Sequence, residues 1–289
     1  MPELPEVETV RRGLEKRVSG QIIKSVEVRH RRATNPRSIR KLNDLTGSKI
    51  ISINRRGKFL WFELDRDFVL VAHLGMSGQF QIQPSGTKPF KHTRVLFKLE
   101  GIDLHFIDQR TFGWISIEEA QNGVPSSAVH IALDPFDENF DLKSTIEYYL
   151  SRKTEIKRAL LNQEIMSGIG NIYADEALWC ARINPMQPCE KLNSTQIKNI
   201  ITAARKVMAK SLKSGGTSFD QLYVNVNGES GYYERSLAVY GQEGEACRRC
   251  GKVIQRIAFA NRSSHFCPNC QPIPRGKRSQ IKGRRRSFR

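Results

Sequence analysis

The chain has 289 residues, 39% of them hydrophobic, enough for globular folding and long enough to favour two domains over a single core. Lysine and arginine number 47 against 29 acidic residues, a formal charge of +18, which points to a polyanionic partner: nucleic acid first, an anionic membrane surface second. No run of about 18 apolar residues and no leader pattern occurs, so neither a membrane span nor secretion is expected, and the expected compartment is the cytoplasm.

The chain opens with MPELPEVETV, a cluster of acids at the start of a basic protein. Leu4 to Val18 reads as an amphipathic helix with Val7, Val10, Leu14 and Val18 on one face. Pro5 suits the first helical position, and Glu6 and Glu8 fall in the first turn, where the helix dipole favours a negative charge by roughly 0.3–1 kcal/mol each. Pro2 and Glu3 precede this helix and are not explained by it.

The first half is rich in predicted strands. QIIKSVEV, KIISI, KFLWFEL, FVLVAHL, RVLFKL and DLHFID are short β-branched or aromatic runs separated by turn residues, and a two-sheet sandwich flanked by the first helix fits them. QNGVPSSAVHIALDPFDENFD, broken by Gly and Pro, reads as a connection between domains. Beyond it the hydrophobic period changes to that of helices, predicted over Leu142 to Arg152, Glu155 to Leu161, Ile172 to Ala181 and Thr195 to Leu212. In the last, Ile197, Ile200, Ile201, Ala204, Val207 and Met208 make one stripe, ended by Gly215 and Gly216.

CRRCGKVIQRIAFANRSSHFCPNC sets Cys247 and Cys250 two residues apart and Cys267 and Cys270 likewise, a spacing that completes a tetrahedron of thiolates for one Zn2+. A pair of disulfides is the competing reading, disfavoured in a reducing cytosol. Four thiolates leave no open coordination position, so the predicted metal is structural and folds a hairpin too small to hold a core. Cys180 and Cys189 read as ordinary thiols.

Taken together, MPELPEVETVRRGL, RRGKFL, HLGMSG, KHTR, DQRTFG, SGIGNIYADEAL, VYGQEG and NRSSHFCPNCQ cover nearly all of residues 2–272, and with them the sequence resembles the bacterial formamidopyrimidine-DNA glycosylases, which are 8-oxoguanine DNA glycosylases and abasic-site lyases of base-excision repair. The resemblance implies an α+β fold: an N-terminal β-sandwich with flanking helices, a C-terminal helical domain with a helix–two-turn–helix element, and a four-cysteine zinc-finger hairpin. The expected divisions are a catalytic domain over 2–133, a linker over 134–141, the helical domain over 142–240, the zinc finger over 241–272 and a disordered basic tail over 273–289.

The resemblance also gives the opening motif a chemistry. With Met1 removed, Pro2 presents a secondary amine that attacks the sugar C1′ bearing the damaged purine, displacing the base and leaving an iminium. With ordinary pKa values near 7.8 and 10.4, roughly 15% of an α-amine but only about 0.04% of a lysine is neutral at pH 7. Prolyl nitrogen is intrinsically more basic, so part of that advantage depends on its surroundings. An iminium formed from a secondary amine remains cationic, acidifies the C2′ hydrogens and permits elimination of the 3′ phosphate. Glu3 matches the general acid that protonates the opening sugar ring. Glu6 matches a second acid of the site, with helix stabilisation an equal reading. Lys58 matches the lysine credited with proton donation in β-elimination, and Arg262 the arginine that grips phosphates and assists δ-elimination.

A stacked base is out of reach of Pro2, so the nucleotide must be flipped out. Met76, Arg110 and Phe112 match the residues that fill the resulting void, although spacing alone would make Met76 and Phe112 core. His92 and Lys153 match backbone contacts, and GIGN offers a phosphate the amino end of the helix near Asn171. GGTSFDQLYVNVNGESGYYERS corresponds to the lesion-capping loop. The segment after Pro274 holds eight cations and no acid, and is expected either to tether DNA or simply to be solvated. The expected partner is double-stranded DNA carrying oxidised purines, bound by a monomer in the bacterial cytoplasm, at the nucleoid. A zinc-bearing DNA-binding module without catalysis would also explain the charge and the cysteines, but not Pro2, Glu3 and Lys58. A preference for oxidised pyrimidines would keep the chemistry and change the substrate. An RNA-binding ribosomal role leaves the amino-terminal acids unexplained.

Overall fold

A computed structural model describes residues 2–216, 226 and 236–277. Met1, most of the expected lesion-capping loop and the last twelve residues of the tail lie outside the described residues. The chain divides into two compact units, one of Met1–His130 with Ser211–Glu234, the other of Ile131–Lys210 with Arg235–Arg289.

The first unit begins with helix α1 (Leu4–Val18), whose Val7, Val10, Leu14 and Val18 are buried as their spacing predicts. Eight strands follow: β1 (Ser25–Val28), β2 (Ile50–Arg56), β3 (Phe59–Leu64), β4 (Val69–His73), β5 (Gly78–Pro84), β6 (Thr93–Lys98), β7 (Ile102–Asp108) and β8 (Trp114–Glu118). They form two four-stranded antiparallel sheets, ordered β1-β6-β7-β5 and β2-β3-β4-β8. Phe62 of one sheet meets Phe80 of the other edge-on, with ring centroids 5.7 Å apart, inside one core that also takes in the apolar stripe of α1. This is the expected sandwich with its flanking helix. A small hairpin, β9 (Ala120–Gln121) and β10 (Val124–Pro125), overlaps the start of the segment read as a connection.

The second unit holds α2 (Leu142–Leu150), α3 (Ile156–Leu160) and α4 (Asn171–Cys180), with most of α5 (Ser194–Lys213). It ends in an antiparallel hairpin of β11 (Gln255–Phe259) and β12 (Arg262–Phe266). The stripe predicted on α5 is buried throughout, Ile197, Ile200, Ala204 and Met208 completely. Among the described residues, no helix is long and apolar enough to cross a membrane.

Candidate active site and metal centre

The start of α1 organises the amino terminus. Glu3 is the residue that caps the helix, so Pro5 stands at the second helical position, one later than predicted. The Glu3 backbone N–H donates to a Glu6 carboxylate oxygen at 2.9 Å, half of a reciprocal capping box between the two residues. Helix capping therefore accounts for Glu3, which the periodicity had left unexplained, and holds both carboxylates buried beside Pro2. Gly216, at φ 90°, packs against the same place: a Cβ there would lie 3.4 Å from Glu6 Cγ.

Pro2 lines a small open pocket with Val7, Lys58, His73, Leu74 and Gly75. Lys58 is delivered by the tight turn between β2 and β3, in which Gly57 takes φ 56°. The strand register sets Phe59, His73 and Trp114 side by side across β3, β4 and β8. His73 stacks on Trp114, with centroids 5.7 Å apart and rings 14° from parallel. Its Nδ1 accepts the Gly75 N–H at 3.2 Å, which assigns the ring proton to Nε2. Burial, then the nearby charge of Lys58, push the His73 pKa down to about 4, so the imidazole is neutral at neutral pH. The sequence motif HLGMSG draws attention to its methionine and gives no sign that this histidine lines the pocket.

The three predicted void fillers come from two adjoining turns. Met76 stands between β4 and β5, and Arg110 and Phe112 between β7 and β8; all three side chains are exposed, Met76 by 41% and Phe112 by 59%. Exposed side chains correct the core assignment that spacing alone would give to the two apolar ones. Asp108 braces both turns. One carboxylate oxygen accepts the Ser77 hydroxyl at 2.5 Å and the Arg110 N–H at 3.2 Å, and the other accepts the Gly113 N–H at 2.7 Å. The His92 carbonyl accepts the Asp108 N–H at 3.0 Å, bringing His92 to the same corner.

In the second unit, Lys153 is exposed between α2 and α3. The GIGN turn is held by Gln163, which accepts the Gly168 N–H at 2.9 Å and donates to the Ile169 carbonyl at 2.9 Å. Asn171 opens α4 as expected, and its Oδ1 is buried with no hydrogen-bond partner among the described residues. Arg262 is exposed at the start of β12, just past a two-residue turn. Glu176 accepts the backbone N–H groups of Ala238, Val239 and Tyr240 at 2.8–3.1 Å and so fixes the segment leading to the cysteines.

The sulfurs of Cys247, Cys250, Cys267 and Cys270 all lie within 4.8 Å of one another, and the four cysteines are free of disulfides. A tetrahedral zinc with bonds of about 2.3 Å needs sulfurs roughly 3.8 Å apart, so the donor set fits one Zn2+ with no ligand position to spare. The Trp179 indole N–H donates to Cys247 Sγ at 3.4 Å, the outer contact a zinc-bound thiolate calls for.

Comparison with known proteins agrees with this geometry. Residues 1–115 match the formamidopyrimidine-DNA glycosylase N-terminal domain, residues 131–222 the H2TH domain of the same enzymes, and residues 244–273 a zinc finger found in FPG and IleRS. A formamidopyrimidine-DNA glycosylase of Rhodococcus jostii is 52% identical over 284 residues, covering 95% of this chain and 97% of its own. One from Mycobacterium leprae is 50% identical over 286 residues, covering 95% and 100%. Among solved structures, the Lactococcus lactis Fpg bound to DNA containing an abasic site is 37% identical, with a TM-score of 0.83 over 94% of this chain and 100% of that one. A mutant of the same enzyme bound to Fapy-dG DNA gives 0.85 over the same shares at 37% identity. Sandwich, helical unit and four-cysteine hairpin thus recur together along the whole length of these relatives, and the chain belongs to the formamidopyrimidine-DNA glycosylase family of DNA base-excision-repair enzymes.

Proposed function

We propose that the chain excises oxidised purines, 8-oxoguanine and formamidopyrimidines, from double-stranded DNA and then cleaves the abasic site by β,δ-elimination. The observation that carries this reading is the pocket lined by both Pro2 and Lys58, with Glu3 and Glu6 buried at the adjoining helix cap. In the reaction, the Pro2 nitrogen forms a bond to C1′ as the bond from C1′ to the base breaks. Glu3 supplies a proton to the ring oxygen as the sugar opens, and an iminium joins Pro2 to C1′. Loss of a C2′ proton feeds electrons into that iminium and expels the 3′ phosphate, with Lys58 as the proton donor. A second elimination, assisted by Arg262, expels the 5′ phosphate, and water releases Pro2 from the sugar fragment.

Met76, Arg110 and Phe112 fill the space left by the flipped nucleotide, and His92, Lys153 and Asn171 hold the strand by its phosphates. Zinc takes no part in these bond changes; it holds the hairpin that carries Arg262. The enzyme acts as a monomer in the cytoplasm, at the nucleoid, with a catalytic domain over 2–133 and a helical domain over 142–240.

Borohydride reduction during turnover of an 8-oxoguanine duplex is expected to give a covalent adduct that peptide mapping locates at Pro2. Absence of any adduct sinks the enzymatic reading in favour of a DNA-binding module. A solved complex of the Lactococcus lactis enzyme with oxidised-pyrimidine DNA gives the alternative substrate a concrete form. Faster cleavage of a thymine-glycol duplex than of the 8-oxoguanine duplex would decide for it.

A further inference from the structure

The second unit contains a buried ionic cluster that the chemistry above does not use. Asp175, on α4, is 1% exposed, and Lys157, on α3, is completely buried. Lys157 Nζ lies 2.6 Å from one Asp175 oxygen and also donates to the Ser263 carbonyl at 3.0 Å. The same carboxylate accepts the Ser264 hydroxyl at 2.8 Å and the His265 backbone N–H at 2.8 Å. One carboxylate and its lysine thus grip three consecutive residues of β12, the three that follow Arg262. Polar groups this deep are costly to desolvate, and ordinary hairpin packing does not require them.

The periods of the two elements show what the grip connects. Along a strand, residues two apart share a face, so Arg262 lies on the face of β12 from which Ser264 reaches Asp175. Along a helix, residues four apart share a face, so Asp175 sits one turn below Asn171, the first residue of α4. The gripped strand belongs to the hairpin of β11 and β12. Its tip, Ala260 and Asn261, carries two consecutive residues at positive φ, 45° and 60°, and alanine takes that conformation only against a steric penalty. Arg262 follows this tip directly, so the grip on the next three residues holds the strand immediately beside it.

We propose that Asp175 is a positioning residue for the lyase reaction: it fixes Arg262 and Asn171 relative to each other, as a pair of phosphate-handling groups on one rigid support. The proposal rests on the reading above that Arg262 assists δ-elimination. It is tested by single-turnover cleavage of an abasic-site duplex at saturating enzyme, following the β product, the β,δ product and borohydride trapping, with bound zinc measured in each variant. The variants are Asp175→Asn, Ser264→Ala and, as reference, Arg262→Gln.

The expected result is that Asp175→Asn keeps its zinc and traps at the parental rate while its δ step slows roughly tenfold to a hundredfold, the loss that misplacement of a reacting group by about 1 Å produces. Ser264→Ala should slow the same step by a smaller factor. A δ step unchanged in both variants, with Arg262→Gln impaired, overturns the proposal and leaves the reading of Arg262 intact. Equal losses of trapping and of the δ step also overturn it, because Asp175 would then serve the fold alone. An unimpaired Arg262→Gln removes the reading and the proposal together. Should Asp175→Asn lose its zinc and fail to fold, Ser264→Ala, which retains the pair of Asp175 with Lys157, decides by the same criteria.

Discussion

Two side chains of the first unit, His73 partly buried and Glu8 buried, make its stability depend on pH in adjoining windows. His73, held neutral with its pKa pushed down to about 4 from 6.5, refuses a proton that the unfolded chain accepts. Stability is therefore intact above pH 6.5 and falls as pH is lowered from there towards 4, by up to about 2 kcal/mol at pH 5. Glu8 works lower on the scale. Burial alone would raise its pKa, but the hydrogen bond from Arg11 and the charges of Arg55 and Arg11 outweigh burial and leave it at about 2, against 4.5 for the free group. Its ion pair with Arg55, at 3.0 Å, ties α1 to β2 and is lost as pH falls from about 4.5 towards 2. Urea unfolding of His73→Gln should flatten the stability profile between pH 6.5 and 4 only, and that of Glu8→Gln only below 4.5. Pro2, Lys58 and the cysteines could be read from motifs. His73 could not, because its significance comes from lying between Phe59 and Trp114 across three strands, one of which has no clear signature in the sequence.

Among the elements, the two turns proposed to fill the void meet in close contact. Gly75 takes φ 59°, and a Cβ on it would lie 2.5 Å from the Gly113 nitrogen and from the Phe112 carbonyl carbon. Gly75→Ala is expected to cost at least about 2 kcal/mol and to part the two turns. Excision of 8-oxoguanine should then fall much further than trapping at a preformed abasic site, where no base has to be extruded; equal losses would refute this role for the turns. The strands β5 and β8 went unpredicted for separate reasons. GQFQIQP alternates correctly, Phe80 and Ile82 inward, but its glutamines disguise it as a loop, and WISIE is short and follows a turn with no clear boundary. The predicted helices fell within two residues of their observed ends, since each carries its own apolar stripe or capping residue.

For the molecule as a whole, charge sets how it meets DNA. Counterion release makes affinity fall with salt, with a slope close to −0.9 for each phosphate neutralised. If Lys58, Lys153 and Arg262 each neutralise one, a plot of log affinity against log salt should have a slope of about −3 or steeper, and Lys153→Ala should make it shallower by about 1. An unchanged slope would remove Lys153 from the phosphate contacts. The sequence disclosed the two-part organisation because its hydrophobic period switches near residue 142. The buried link of Asp175 with Lys157 and β12 was not legible, since its partners lie about a hundred residues apart and only the folded chain brings them together.

Met76 has a liability that follows from its place. A thioether left 41% exposed at the apex of a turn is soft and easily oxidised, and the sulfoxide is polar, bulkier and chiral. If Met76 fills the void as proposed, the reactive oxygen species that create oxidised purines also disarm the residue that helps expose them, so that demand for repair and loss of the tool rise together unless a reductase restores the side chain.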